Sequence, residues 1–240
     1  MGRRNNDGLE KSSICKARKS EGMRHTDGYA GMTEDAAQRS RWTFCEAVTG
    51  IILAGGKSSR MGRNKALLDF GGRRIIEHTV DLFKSIFPEV IIVTNTPEEY
   101  ASLGIKTVTD IFPGKGSLGG IYTGLIHSSY DYSFIASCDM PFLRRELIEF
   151  LISLKEGYDV VVPRLKDGHE PLHAVYSKRC GKSMEAMINK GDLRIIGFYP
   201  EVRLREVWEE ELEPYIYEPS PFININTPEE YEEAVKRTLL

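Results

Sequence analysis

From residue 48 onward the chain alternates short apolar runs with segments whose apolar residues return every three or four positions. The runs Gly50–Ala54, Glu89–Thr94, Lys106–Thr109, Tyr132–Ser137, Asp159–Pro163 and Leu172–Ser177 predict strands. Several are continuous and rich in Val and Ile, as expected when a parallel sheet is covered on both faces. Between them Ile76, Val80, Phe83 and Phe87 recur at helical spacing, as do Leu118, Ile121, Tyr122 and Leu125, and then Leu143, Leu147, Leu151 and Leu154. That alternation predicts an α/β domain over residues 48–240 with a single doubly wound, mostly parallel sheet. Such sheets bind ligands at the carboxyl ends of their strands, which directs attention to the residues just after each run.

The pattern weakens between residues 192 and 219, where the acidic run Glu209-Glu210-Glu211 fits a solvated face because no other ligand chemistry gathers around it. It returns in Phe222-Ile223-Asn224-Ile225-Asn226, followed by a helix start: Thr227 as cap, Pro228 at the first position, Glu229 and Glu230 in the first turn. The hexapeptide Asn-Thr-Pro-Glu-Glu-Tyr occurs at 95–100 and again at 226–231. Its flanks do not match, so it predicts one local solution used twice, a strand end and a capped helix start, and not a duplicated domain. Each copy leaves an Asn where its amide could cap a turn or meet a ligand.

Residues 1–47 carry no sustained period and are rich in Arg, Lys, Ser, Gly, Asn and Asp. The expectation is a disordered leader, or an upstream over-extension of the reading frame with Val48 as an alternative start.

Composition removes several function classes. With 32 Lys and Arg against 35 Asp and Glu, the net charge of −3 gives no global basic field for nucleic acid or an acidic membrane surface. No segment has the length of a transmembrane helix, and the polar amino terminus lacks the apolar core of a signal peptide. Cys15, Cys45, Cys138 and Cys180 form no C-x-x-C pair, which argues against a zinc site or disulfide framework and suits a reducing cytoplasm.

The strongest chemical signal is Gly50-Ile51-Ile52-Leu53-Ala54-Gly55-Gly56-Lys57-Ser58-Ser59-Arg60-Met61-Gly62-Arg63-Asn64-Lys65. An apolar run opens into two glycines and a segment with four cations. Glycine lets backbone N–H groups approach an anion, and Lys57, Arg60, Arg63 and Lys65 neutralise it. Gly56-Lys57-Ser58 has the tail of a Walker loop, but Ile51 stands where that motif needs its first glycine. His169-Glu170-Pro171-Leu172-His173 spells the zinc-protease pattern, yet Pro171 and the Asp167-Gly168 turn predict an entering strand, not the helix that chemistry needs. Gly114-Lys115-Gly116-Ser117-Leu118-Gly119 spells a dinucleotide fingerprint with Asp139 about 20 residues on. It follows a short polar strand across Asp110-Ile111-Phe112-Pro113, which weakens a dehydrogenase reading.

Taken together, the strand ends supply Gly55, Gly56 and Lys65, then Asn95, Asp110 and Asp139. Two carboxylates facing a loop of cations suit a metal-bound nucleoside triphosphate, since Mg²⁺ takes one or two carboxylates plus phosphate oxygens. Asp139 could instead cap a helix before Pro141, and Asp110 could form a turn ahead of Pro113-Gly114.

The run from Leu53 to Lys65 resembles the signature loop of sugar-nucleotide-type nucleotidyltransferases. With Asp110-Ile111-Phe112-Pro113-Gly114-Lys115-Gly116-Ser117-Leu118-Gly119-Gly120, Ser137-Cys138-Asp139-Met140-Pro141, Glu170-Pro171-Leu172-His173-Ala174-Val175-Tyr176 and Phe222 to Pro228, the chain is similar to the molybdenum cofactor guanylyltransferases over about residues 50–240. The resemblance implies a Rossmann-like nucleotide-diphospho-sugar transferase fold. It implies transfer of GMP from Mg²⁺-GTP to the terminal phosphate of molybdopterin, with release of pyrophosphate, and recipient molybdoenzymes or their chaperones as further partners. Carried over by motif, Leu53, Ala54 and Gly55 contact the nucleotide, Lys65 its phosphates, and Asn95 and Asp110 the guanosine portion. Asp139 holds Mg²⁺, and Asn224 and Asn226 lie on the pterin side. An acceptor phosphate is already anionic at neutral pH, so no Ser–His pair is needed; Lys65, Arg60 and metal-bound Asp139 are expected to stabilise charge at the α-phosphate and leaving group. Ser117 stands where the family often has Pro, and Glu170 where it often has Gln. Readings left open are a cytidylyltransferase for the same pterin, a transferase acting on a phosphosugar, and a non-catalytic nucleotide- or cofactor-binding chaperone.

Overall fold

The apolar runs form the strands of one mixed sheet: β1 (Val48–Leu53), β2 (Glu89–Val93), β3 (Lys106–Val108), β4 (Tyr132–Ser137), β5 (Val160–Leu165), β6 (Gly168–His169), β7 (His173–Ser177) and β8 (Leu204–Trp208). The structure, a computed structural model, describes residues 47–55 and 64–238. The expected leader, apart from Ala47, and the loop residues from Gly56 to Arg63, Arg60 among them, lie outside the described residues.

The strands are ordered β3-β2-β1-β4-β7-β5-β6, with β8 paired to β5. The pairs β1–β2, β1–β4, β2–β3 and β5–β8 are parallel, while β7 runs antiparallel to β4 and β5. Ile51, Ile52, Ile91, Ile92, Phe134 and Ile135 are fully buried, as a sheet covered on both faces requires. One face packs on helices α1 (Ile75–Lys84) and α3 (Arg145–Ser153) through Ile76, Val80, Phe83, Leu147 and Leu151. The other packs on α2 (Gly116–His127) and α4 (Gly181–Lys190) through Leu118, Ile121, Leu125, Met184 and Ile188. Two short or terminal helices follow, α5 (Glu209–Leu212) and α6 (Pro228–Thr238).

Several expected boundaries move for local reasons. Strand β1 begins at Val48, two residues early, because Val48 pairs with Tyr132. Helix α1 stops at Lys84, and Phe87 lies past its end while still packing 5.1 Å from the Phe83 ring. Leu143 and Leu154 flank α3 instead of lying within it. Strand β8 falls inside the region without clear period; it pairs with β5 alone, and of its residues only Val207 is buried. An edge strand with Arg205 and Glu206 on it carries too little apolar signal to stand out.

The repeated hexapeptide folds two ways. At 226–231 it opens an α-helix with reciprocal capping: Glu230 N–H donates to Thr227 Oγ1 at 3.2 Å, and Thr227 N–H to Glu230 Oε2 at 3.1 Å. At 95–100 the run becomes a 3₁₀ segment, Pro97–Leu103, with no side-chain cap and a left-handed Gly104 at its end.

Candidate active site

The chain lays β2 and β3 on one side of β1 and then crosses to lay β4 on the other. That reversal opens a crevice at the carboxyl ends of β1 and β4, where doubly wound sheets bind ligands. A cleft of about 350 Å³ occupies it, lined by Leu53, Gly55, Asn95, Asp110, Gly116 and Ser117 among others. Helix α2 lies directly against β1 because it carries glycine there: a Cβ on Gly124 would sit 2.7 Å from Ile51 Cγ2, and one on Gly120 3.3 Å from Leu53 Cδ2. Its amino end therefore opens into the cleft, with Gly114 in the turn before it and Gly116 at its first position, both at positive φ. Orphan N–H groups and the helix dipole favour an anion at such a terminus. Gly114 and Gly116 of the fingerprint-like run thus serve a turn and Gly119 packs against Lys115 and the Phe112 carbonyl, while the close helix–strand approach belongs to Gly120 and Gly124 beyond the run.

The described edges of the cation loop are tied together by Tyr100. Its hydroxyl donates to the Ala54 carbonyl at 3.3 Å and accepts from Asn64 Nδ2 at 2.8 Å. Burial raises that phenol to about 12, so it remains a neutral bridge. Ala54 N–H is itself fixed to the Val93 carbonyl at 2.9 Å. The second copy of the hexapeptide does a related job, since Tyr231 donates to the Asp69 carbonyl. Tyr100 and Asn64 were not among the expected site residues; the recurrence of Tyr in both hexapeptides was the available signal.

Lys65 opens a short 3₁₀ turn, Lys65–Leu67, capped by Asn64 Oδ1, and its Nζ donates to Asn226 Oδ1 at 3.0 Å. The residue before Asn226, Ile225, donates its N–H to the Asp139 carbonyl at 2.9 Å. Lys65, Asn226 and Asp139, which are distant in sequence, thereby gather at the carboxyl end of β4. Asp139 does not cap a helix: the position before α3 is Arg144. Its Oδ1 is buried without a hydrogen-bond partner among the described residues. A carboxylate oxygen in that state is destabilising unless a cation meets it, so the residue fits a divalent ion. No cluster of three or more His, Cys, Asp or Glu with metal-holding geometry occurs among the described residues.

Asp110 adopts the turn role left open for it. Its Oδ1 accepts from Phe112 N–H at 3.0 Å and from the Thr123 hydroxyl at 2.9 Å, while the residue still lines the cleft. Asn95 is exposed and lines the same cleft. Asn224 donates to the Phe222 carbonyl at 3.2 Å, which shapes its own segment. The neighbouring Cys138 thiol is pushed up to about 12 by burial, with Asp139 adding to the shift and Lys65 opposing it, so it is no nucleophile.

His169 and His173 sit on separate strands, so the zinc-protease spelling has no helix to support it. His173 is fully buried between Phe134 and Phe222, at ring distances of 5.2 and 5.1 Å, and burial lowers it to about 3. Glu170 behaves oppositely: loss of water raises its carboxyl from 4.5 to about 7. A carboxyl whose folded pKa lies above its unfolded one stabilises the fold fully below the unfolded value, and that contribution is lost as pH rises through the folded value. Glu170→Gln should therefore match the parent near pH 4.5 and exceed it by about 1–2 kcal/mol at pH 8, after discounting for partial exposure. Urea midpoints across that range check this; a constant difference would contradict it.

Known proteins resemble the chain in both sequence and fold. The model of the MobA-like NTP transferase domain matches residues 50–202. A molybdenum cofactor guanylyltransferase of Desulfosudis oleivorans is 42% identical over 191 residues, covering 79% of this chain and 95% of that protein. A probable molybdenum cofactor guanylyltransferase of Pelotomaculum thermopropionicum is 40% identical over 186 residues, covering 78% and 91%. Among solved structures, molybdopterin-guanine dinucleotide biosynthesis protein A of Archaeoglobus fulgidus superposes with a TM-score of 0.70 at 26% identity, covering 80% of this chain and 98% of that one.

Proposed function

Because this chain belongs to the molybdenum cofactor guanylyltransferase family, built on the MobA-like NTP transferase domain, we propose that it transfers GMP from GTP to the terminal phosphate of molybdopterin. The observation that carries the site assignment is the junction of Lys65, Asn226 and the orphaned Asp139 oxygen, two residues past Ser137, which lines the cleft; Lys65, Asn226 and Asp139 are not themselves among the residues that line it. Residues 48–240 are assigned the reaction. Among the described residues no helix is long and apolar enough to cross a membrane, and Cys138 and Cys180 are free thiols, which suits the cytoplasm.

In this reading GTP lies over the carboxyl ends of β1 to β3, with Leu53, Ala54 and Gly55 against it and Asn95 and Asp110 toward the guanosine portion. An oxygen of the acceptor phosphate attacks the α-phosphorus, the bond from that phosphorus to the α–β bridging oxygen breaks, and pyrophosphate leaves with the electron pair. No proton need be removed from the nucleophile, so the step requires no tuned base. Lys65 supplies positive charge to the phosphates at the junction, and Arg60 is assigned the same task from the loop. Asn226 holds the Lys65 ammonium in place, and Asn226 and Asn224 face the acceptor. Asp139 would hold Mg²⁺, which supplies neutralisation of the triphosphate and its leaving group when bound.

The base assignment is tested by incubating the protein with Mg²⁺, molybdopterin and each of four nucleoside triphosphates while pyrophosphate is measured. Release with GTP is expected. Release with CTP and not GTP would make the protein a cytidylyltransferase.

A further inference from the structure

The nucleotide reading leaves Glu170 without a task. Its carboxyl is half-buried, and among the described residues no hydrogen bond or ion pair reaches it; loss of water is the whole cause of its shift. A carboxylate stripped of water without donors is destabilising, and a ligand bringing N–H groups relieves it.

Its position indicates which ligand. Strand β7 runs antiparallel to β4 with His173 opposite Ala136, so the residues before His173 extend past the carboxyl end of β4. Glu170 N–H donates to the Pro163 carbonyl at 3.0 Å, which seats it beside β5 two residues before that strand's end at Leu165. That is two strands, about 10 Å, from β4 and Asp139, on the side away from β1 and the nucleotide cleft. The segment from Phe222 to Asn226 crosses the same edge, its Phe222 ring on His173 and its Ile225 N–H on the Asp139 carbonyl. An acceptor whose phosphate met Lys65 and Asp139 and lay along this edge would bring its fused rings toward β5.

We propose that Glu170 is a specificity-determining residue for the acceptor: its carboxylate receives the paired N–H donors of the pterin's 2-amino-4-oxopyrimidine edge. The inference rests on the acceptor reading above. Guanine carries the same donor edge, but the nucleotide cleft is lined from β1 to β4 and α2 and does not include Glu170. A carboxylate offers two acceptor oxygens to the exocyclic amine and the ring N–H, each bond strengthened by its charge. An amide offers one acceptor and one donor, so Gln at this position still reads part of the edge.

The test uses the full chain and two fluorescent probes, 6-hydroxymethylpterin phosphate and its 2,4-dioxopteridine counterpart, which has a carbonyl in place of the exocyclic amine. The parent should bind the amino form at least about tenfold more tightly, and Glu170→Ala should lose that preference. Binding of Mg²⁺-GTP should be unchanged and the melting temperature no lower, because an undersolvated carboxyl has been removed. Glu170→Gln should retain an intermediate preference. A Glu170→Ala protein that keeps the parent's preference, or a parent that shows none, overturns the inference. These titrations contain no GTP, so their outcome is separable from the turnover assay, in which failure to release pyrophosphate with molybdopterin would overturn the guanylyltransferase reading itself.

Discussion

Lys65→Ala is expected to lower turnover by about 10²-fold or more while the fold and the affinity for GTP change little. The side chain makes one described hydrogen bond, 3.0 Å to the Asn226 amide oxygen at the site's surface, and losing it leaves an exposed acceptor that water can satisfy. Little stability depends on it. Its ammonium stands at the junction with Asn226 and Asp139 past the carboxyl end of β4, where the proposed reaction puts the α-phosphate as it is transferred. A fixed cation there acts more strongly on the transition state than on bound GTP, so kcat should fall and the GTP KM should move only slightly. Steady-state kinetics separate the two parameters; unchanged kcat would remove Lys65 from the mechanism.

Asp139→Asn is expected to have an effect of similar or greater size, about 10²- to 10³-fold in kcat/KM at low Mg²⁺, partly restored by raising the metal concentration. The amide keeps the shape of the carboxylate and removes its charge. Asp139 Oδ1 is buried and unpartnered among the described residues, so the substitution should not lower the melting temperature and can raise it. Loss of activity together with unreduced stability separates a metal-holding role from a structural one. Full activity at low Mg²⁺ would exclude Asp139 as the ligand.

The sheet was legible in the chain because its strands are buried on both faces: Ile51-Ile52 and Ile91-Ile92 are continuous apolar pairs that no solvated element would carry. The helices were legible through positions such as Ile76, Val80 and Phe83, which share one face of α1. Strand β8 was not, because an edge strand with one buried residue has little pattern to read. The antiparallel course of β7 was likewise hidden, since an apolar run does not state its direction. At the site, Asp110 and Asn95 followed from their places after strands and do line the cleft. The contact between Lys65 and Asn226 joins residues 161 positions apart, a pairing no local motif encodes. The Tyr100 clamp was hidden for the same reason, because its partners Ala54 and Asn64 lie on either side of the cation loop. In the chain Glu170 stands out as a departure from Gln and as part of the zinc-protease spelling; its loss of water is a property of the folded edge.

Guanylyl transfer is decided by the fate of the GTP α-phosphate. With GTP labelled at the α-phosphate, Mg²⁺ and molybdopterin, the label should move into a product that joins the pterin to GMP through two phosphates, with one unlabelled pyrophosphate released per product. Label that remains in GTP although GTP binds, with molybdopterin competent to accept, would contradict the claim and leave a nucleotide-binding protein without transferase activity.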